Sequence, residues 1–536
     1  MACGRLSSRI DFSSNAARLN ALQWSDDGKL LLITNEALDV LDTRRERRQN
    51  RQYSITAAWI ESTTKAWKPN IAESVSLNAK KPTVSSDAVR LHFNRGLVQL
   101  HCADSPCTLA FTTAAWSPLG CDRTGGCLLA GLRTDYWIAV YQAPIGLLKR
   151  WTEIADVSSH LLRFCQSNPT LWNAEETARE RKLEVSPALH EHRMDLLAGA
   201  ALSWSKLLPG GKSLLLAVAT RSGLVFFIKL GVPVLEKPEI DVLGFVDTKV
   251  KWPTCLTWLR KPGEDYHLAM GTTQGSVLLC TVRCSHGFSF SLRHIWPADG
   301  IPVHSIKWKN STEPLADIDS RFLVVVKNAV VLFVSCKGEV GEKPRYRIVQ
   351  GLHSSSVSGV TETLSGIWFS TSVDGQLATF DFESPSPRYL DLKGTFGDIA
   401  SAYHGCAVSP NGLFLFVVVC PNNTLLTSVK RVWSSKKSQV CAITLTPQVD
   451  ISDQLKLLKS PYLIWDVLDY LLLPDAASYR ERIVAQSQST PNPCSLQLDE
   501  LQTRRSLLDV VQSVTHPDSA DQSRLVQSKR ALDDSN

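Results

Sequence analysis

Residues 113–140, TAAWSPLGCDRTGGCLLAGLRTDYWIAV, contain a unit that recurs along the chain. An apolar run ends at Trp116 and meets a turn made of Ser117, Pro118, Gly120, Cys121 and Asp122; further apolar runs follow at 127–132 and 136–140. Short apolar runs separated by Gly, Pro, Asp and Asn read as strands joined by tight hairpins, because those residues supply the backbone angles that turns need. A meander this small cannot stand alone and must stack on its neighbours. Comparable units occupy 21–43, 202–230, 255–282, 304–335, 358–382 and 404–429, which makes seven. From the third copy onward they recur at roughly 50 residues, close to the spacing of four-stranded propeller blades, while the earlier gaps of about 90 residues require long excursions. The expected fold is all-β: a divergent seven-bladed WD40-like β-propeller with a helical insertion and a short helical C-terminal tail. The Trp-Asp dipeptide and its Gly-His partner are mostly missing, and a two-sheet sandwich with many hairpins is the alternative architecture.

A chain of 536 residues, 44% hydrophobic and 21% charged, can bury a core of that size. Trp24, Trp116, Trp204, Trp258 and Trp308 stand at the same place in their repeats, just before the hairpin. They read as wedges between blades with the indole N–H bonded locally, rather than as exposed ligand contacts. The net charge of +6 permits contact with nucleic acid or acidic proteins without requiring it. MACGRLSSRIDF lacks the pattern of a secretory signal, and no apolar run approaches the roughly 18 residues that span a bilayer. An intracellular protein is expected.

The fourteen cysteines are scattered. Cys255, Cys280, Cys406, Cys420 and Cys441 lie in expected strands, where a free thiol behaves as a small apolar side chain. The close pairs, Cys102 with Cys107, Cys121 with Cys127 and Cys280 with Cys284, lack zinc-ligand spacing, and His190 and His192 do not share a helical face. No metal is expected. The run Gly210-Gly211-Lys212-Ser213 lacks the leading glycine of a phosphate loop, having Lys206 there, and corresponds to the first repeat's turn, Asp26-Asp27-Gly28-Lys29. No nucleophile elbow stands out. A coenzyme A pyrophosphate motif is approached only by the run from Arg123 through Gly126 to Leu128, which lies between strands. No catalytic or cofactor residue is assigned.

In domain terms, 1–446 is expected to form the propeller, with insertions near 44–110 and 151–197; 447–515 is expected to be helical and 516–536 disordered. The leader, 1–16, is expected to add an outer strand to the last blade. The basic cluster 44–51, RRERRQNR, reads as a solvated loop in preference to a nuclear-localisation or nucleic-acid patch. Residues 173–183, NAEETARERKL, carry acids early and bases late, as a helix dipole favours. Ser460 and Pro461 resemble a helix start before an apolar face at Ile464, Leu468 and Leu471 or Leu472, with further helices expected at 476–486 and 499–514.

The stretch from Trp116 through Ser117, Pro118, Gly120, Cys121 and Asp122 to Ala130 resembles the propeller subunit of transcription factor IIIC. The resemblance continues in order through Pro302-Val303-His304, Gly351-Leu352-His353, Asp374-Gly375, His404-Gly405 and Ser409-Pro410. It implies a nuclear protein of the complex that recognises RNA polymerase III promoters at transfer RNA and 5S RNA genes. It implies as partners the other transcription factor IIIC subunits, with transcription factor IIIB and RNA polymerase III, and DNA through the complex. Members of the family are also described as histone acetyltransferases, which would call for acetyl-coenzyme A. The family's carboxy-terminal zinc domain is expected to be missing, since only Cys494 and His516 follow the propeller. A non-enzymatic scaffold is the preferred reading; a histone acetyltransferase and a propeller adaptor of an unrelated complex are the alternatives.

Overall fold

The computed structural model describes residues 3–12, 16, 19–34, 38–42, 111–134, 136–143, 151–172, 187–234, 238–259, 265–284, 288–310, 321–337, 345–390, 401–421, 438–445, 465–471, 476–481 and 507. The chain opens with β1 (Cys3–Asp11). Blade 1 contains β2 (Leu22–Trp24), β3 (Lys29–Ile33) and β4 (Leu38–Asp42). Blade 2 is β5 (Phe111–Trp116), β6 (Leu129–Arg133), β7 (Ile138–Gln142) and β8 (Thr152–Asp156). Blade 3 is β9 (Gly199–Leu207), β10 (Ser213–Thr220), β11 (Leu224–Gly231) and β12 (Ile240–Asp247). Blade 4 follows as β13 (Pro253–Trp258), β14 (Asp265–Thr272), β15 (Val277–Arg283) and β16 (Ser289–Trp296). Blade 5 comprises β17 (Ser305–Trp308), β18 (Phe322–Lys327), β19 (Val330–Ser335) and β20 (Tyr346–Val349). Blade 6 comprises β21 (Val357–Glu362), β22 (Ile367–Ser372), β23 (Leu377–Asp381) and β24 (Arg388–Leu390). Blade 7 has β25 (Ser401–Val408), β26 (Phe414–Pro421) and β27 (Gln439–Leu445). Each sheet is an antiparallel meander in chain order, and β1 pairs with β27 as the fourth strand of blade 7. The leader strand therefore closes the ring, as the sequence leads one to expect.

Closure is also visible in the packing. The second and third strands of most blades are apolar at nearly every position, because both faces of each sheet are covered. In β10, Leu214, Leu216 and Val218 pack toward blade 2, while Leu215, Ala217 and Ala219 pack toward blade 4. The same alternation in β3 sends Leu31 and Ile33 toward blade 2, and Leu30 and Leu32 toward blade 7. Period-two side-chain direction turns a continuous apolar run into two interfaces. Among the described residues there are seven such cores, one at every blade junction from 1–2 round to 7–1. A two-sheet sandwich would have one. The core is a ring of wedges, and its stability is shared among junctions rather than concentrated at a centre.

Between blades 2 and 3 lie α1 (Val157–Ser167), α2 (Pro169–Trp172) and α3 (Pro187–Leu197). The Asp156 carboxylate caps α1 by accepting from the Ser159 N–H at 3.0 Å. Val157, Leu161 and Cys165 then fall on one buried face against blades 2 and 3. Because β8 is the outer strand of blade 2, the excursion between the blades starts at Val157, not at Trp151. Residues 44–110 and 173–183 lie outside the described residues, as do Ser460, Pro461 and most of the terminal segment. Helix α4 (Trp465–Leu471) is described, and Val467, Tyr470 and Leu471 pack with Ala476 and Leu507 against Phe12, Phe414 and Leu30. This helix thus covers the seam where the first and last blades meet.

Candidate functional site

The recurring Trp-Ser unit is a clasp. The Ser117 hydroxyl accepts from the Leu128 N–H at 2.8 Å, joining the end of the first strand of blade 2 to the start of the second. Ser25, Ser205, Thr363 and Ser409 take the equivalent bond from the N–H groups of Lys29, Leu215, Ile367 and Phe414 at 2.8, 2.9, 3.1 and 3.0 Å. A buried N–H at a hairpin shoulder must find an acceptor, and a short hydroxyl side chain supplies one from within the turn. The tryptophans fasten blade to blade. Trp204 Nε1 donates to the Ala115 carbonyl at 3.0 Å, Trp258 to Ser203 at 3.1 Å and Trp308 to Thr257 at 3.3 Å. Each acceptor is the residue before the preceding blade's own tryptophan, so the indoles form a relay from blade 5 back to blade 2. This relay accounts for tryptophan at that point in blades 3, 4 and 5, where the indole bonds across to the preceding blade and not locally; among the described residues the buried Trp116 Nε1 of blade 2 makes no such bond.

The motif residues from Trp116 to Asp122 meet blade 1 in a buried polar cluster. Gly120 has φ +88°, and its N–H reaches the Gly125 carbonyl at 3.0 Å. Pro118 is half-buried beside it in the same turn. Asp122 Oδ1 accepts from the N–H groups of Thr124 and Gly126 at 2.7 and 2.5 Å. A Cβ at Gly126 would lie 2.8 Å from the Oδ2 atoms of both Asp122 and Asp27, so only glycine lets the two carboxylates close on the turn. Asp27 is paired with Lys29, and both are buried. The Lys29 ammonium lies 5.8 Å from the centre of the Trp151 ring. Burial pushes the Cys121 thiol up to about 11, and burial with the Asp27 and Asp26 carboxylates pushes Cys127 up further still. Both thiols stay protonated and unreactive at neutral pH.

The other motif residues sit at separate junctions. His304 precedes blade 5, where its N–H donates to the Val326 carbonyl at 2.8 Å, and burial holds its ring below the usual titration range. Nearby, Asp299 accepts from Lys327 at 2.5 Å and from Trp296 Nε1 at 2.9 Å, and Lys327 also donates to the Gly275 carbonyl at 2.6 Å. In blade 6, His353 Nε2 lies 2.9 Å from Ser370 Oγ, and Nδ1 lies 3.8 Å from Asp374 Oδ1. Asp374 also accepts from the Ser354 N–H at 2.9 Å, and it begins the Asp374-Gly375 turn, with Gly375 at φ +77°. The three side chains have the order of a hydrolase triad. Ser370 and the His353 ring are nonetheless fully buried, so no substrate carbonyl can approach the hydroxyl. The network ties an interblade loop to a hairpin, and the histidine, held neutral by burial, is a structural donor or acceptor. His404 lies in β25, where burial again lowers its titration range, and its carbonyl accepts from the Ala21 N–H at 3.2 Å across the ring closure. Ser409 and Pro410 form the blade 7 turn. There the buried Asp466 of α4 accepts from Asn411 N at 2.9 Å and Asn411 Nδ2 at 2.6 Å.

His353, Asp374 and Gly375 are thus brought together, as are Trp116 through Asp122, whereas His304, His404 and Ser409 are not gathered into a common centre. Among the described residues, no group of His, Cys, Asp and Glu is arranged to hold a metal ion. Asp27 and Lys29 were read from the sequence only as part of a hairpin turn, and Asp299, Lys327, Ser370, Glu362 and Asp466 were not singled out by it. Asp27, Asp299 and Asp374 each stand before a glycine, and that Asp-Gly signature was legible as a turn. What it conceals is that the carboxylate bonds to groups beyond the turn. The exposed surface carries a further contrast. The outer strands β8 and β12 contain Glu153, Asp156, Asp241 and Asp247 and no basic residue, while β16, β20 and β24 contain Arg293, His294, Arg347 and Arg388 and no acidic one.

Seven stacked antiparallel sheets, six of four strands and one of three among the described residues, fastened by hydroxyl clasps and an indole relay, define a divergent seven-bladed β-propeller whose polar clusters serve assembly of the ring. The chain belongs to the transcription factor IIIC subunit delta beta-propeller family, whose description matches residues 24–446. It is 24% identical over 340 residues to General transcription factor 3C polypeptide 4 of Mus musculus and, to the same extent, to that of Homo sapiens. The match covers 58% of this chain and 40% of each relative, so the similarity spans well under half of their length. Among solved structures, Chaetomium thermophilum Raptor overlaps 82% of this chain and 29% of its own at 10% identity and a TM-score of 0.42. No helix among the described residues is long and apolar enough to cross a membrane.

Proposed function

We propose that this chain is a scaffold subunit of transcription factor IIIC, holding other subunits of that complex during RNA polymerase III initiation at transfer RNA and 5S RNA genes. The observation that carries this reading is the family match over 24–446, which takes in blades 2 to 6 whole and most of blades 1 and 7. The physical design supports it. Every junction has its own apolar core and most have a polar fastening, so outer strands and interblade segments can carry binding residues without disturbing the ring. The contrast between acidic and basic outer strands gives the circumference two chemically different faces, suited to holding two different partners in fixed relation. In this reading the protein works in the nucleus, contacts DNA through the complex, and meets transcription factor IIIB and RNA polymerase III as part of it. The test is purification of the tagged chain from nuclear extract at moderate salt, followed by mass spectrometry. Recovery of transcription factor IIIC subunits is expected; their consistent absence would refute the reading.

A further inference from the structure

The outer edge of blade 5 has the properties of a strand acceptor. Strand β20 ends its sheet, and no described residue pairs with its far side. The Ser335 N–H donates to the Arg345 carbonyl at 2.9 Å, which fixes the hydrogen-bonding phase of the β19–β20 ladder. In an antiparallel pair, bonded and non-bonded positions alternate. Arg345, Arg347 and Val349 therefore turn their backbone groups toward β19, while the N–H and C=O groups of Tyr346 and Ile348 face outward. The side chains sort by the same alternation. Tyr346 and Ile348 share one face and are 54% and 36% exposed, with the Tyr346 ring edge-on to Trp296 at 5.1 Å. Arg345 and Arg347 are on the other face, both exposed; Arg347 lies over the Phe382 ring at 4.3 Å, donates to the Phe382 carbonyl at 2.8 Å and stands 3.5 Å from the exposed Glu383 carboxylate, which an incoming acidic side chain would replace.

We infer that this edge binds an extended, acidic protein segment as an added strand, in which acidic and apolar residues alternate. Two outward N–H and two outward C=O groups offer a main-chain ladder, and the flanking faces set the side-chain pattern: carboxylates beside Arg345 and Arg347, apolar groups beside Tyr346 and Ile348. The flanking outer strands β16 and β24 likewise carry Arg293 and Arg388 and no acidic residue, so the outer edges next to β20 favour a negatively charged occupant. A nucleic-acid strand could answer the arginines but not the outward backbone ladder. The inference specifies a surface for the scaffold reading above and rests on that reading only in requiring a protein partner.

The purified chain is titrated with a capped, fluorescently labelled peptide of alternating glutamate and valine, and with a peptide of equal composition whose valines form one block. Tighter binding of the alternating peptide is expected. Ile348→Pro removes an outward N–H without touching the β19 ladder, and Arg345→Glu with Arg347→Glu reverses the charged face. Each is expected to weaken binding on the order of tenfold. Thermal unfolding confirms that the variants fold, and Arg345→Glu alone serves if either does not. No binding to the wild type, equal binding of the two peptides, or unchanged binding by folded variants overturns the inference. Competition by single-stranded oligothymidylate that survives Ile348→Pro would assign the surface to nucleic acid and overturn it equally. Failure to recover transcription factor IIIC subunits from extract would refute the scaffold reading while leaving the peptide titration to be judged separately.

Discussion

Glu362 closes β21 at the junction of blades 5 and 6, and its burial makes the fold sensitive to pH. Burial pushes its carboxyl up from 4.5 to about 7, against the Asn310 N–H, which it accepts at 2.8 Å, and the Lys309 and Lys307 ammoniums, which pull it down. The neighbouring Lys307 is itself held below its usual range by burial and donates to the Val360 carbonyl. The folded protein therefore keeps a proton on Glu362 over an interval in which the unfolded chain has released it. Stability from this group is complete below about pH 4.5 and is lost as the pH rises to about 7, and the loss amounts to about 3 kcal/mol. Glu362→Gln keeps the shape and one acceptor for the Asn310 N–H but cannot ionise. Urea unfolding of both proteins at about pH 4.5 and about pH 7.5 isolates the effect as a difference of differences. The variant is expected to gain up to about 3 kcal/mol on the wild type between the two conditions. Parallel pH profiles for the two proteins would refute the reasoning, because they would mean that the carboxyl ionises as freely in the fold as in the open chain.

Trp258→Phe removes the indole bond to the Ser203 carbonyl along with part of a packed ring, and is expected to cost about 2 kcal/mol in urea unfolding. Gly120→Ala meets no neighbour and bears only the strain of its positive φ, about 1 kcal/mol, whereas Gly223→Ala sets a Cβ 2.5 Å from the Val250 carbonyl oxygen and is expected to be clearly worse in the same assay. Asp466→Ala strips the buried acceptor from Asn411, and limited proteolysis is expected to cut the terminal segment faster, with a loss of about 2 kcal/mol. Cys165 and Cys280, both pushed up to about 12 by burial, are expected to resist a thiol reagent at neutral pH until denaturant is added.

The blades were legible in the sequence because their signal is local. Alternation, turn residues and the Trp-Ser unit all act within a dozen positions, and seven repetitions compound them. The strand β8 was hidden within a polar stretch because TEIAD is an outer strand with one face in water, so it lacks the apolar density that marks β6 or β10. The polar clusters were illegible for a different reason. Asp27 bonds the Cys127 N–H a hundred positions away, and Asp466 reaches Asn411 across the seam of the ring; no spacing rule connects such residues. His353 of the interblade loop and Asp374 of the hairpin stand 21 positions apart, and no spacing rule pairs them either. Ser370 completes their network only because β22 places it facing the loop.

That network bears on how a propeller loses its signature without losing its fold. In blade 6 the His353–Ser370 and Ser354–Asp374 bonds fasten a loop to a hairpin, and Lys327 with Asp299 joins the corresponding loop and turn at blades 4 and 5 by a different chemistry. At the opposite end of the sheets, the turn between first and second strands is stabilised in blade 1 by Asp27 and Lys29, and in blade 7 by a carboxylate brought from α4. What each junction requires is a buried acceptor for exposed backbone donors, together with a counter-group that neutralises any charge so introduced. Several residue sets meet that requirement, so the sequence is free to drift among them. The clasp hydroxyl is less replaceable, because an acceptor that must reach the next strand's N–H from within a tight turn can hardly be longer than Ser or Thr. The hydroxyl accordingly recurs in five blades where the Trp-Asp dipeptide does not.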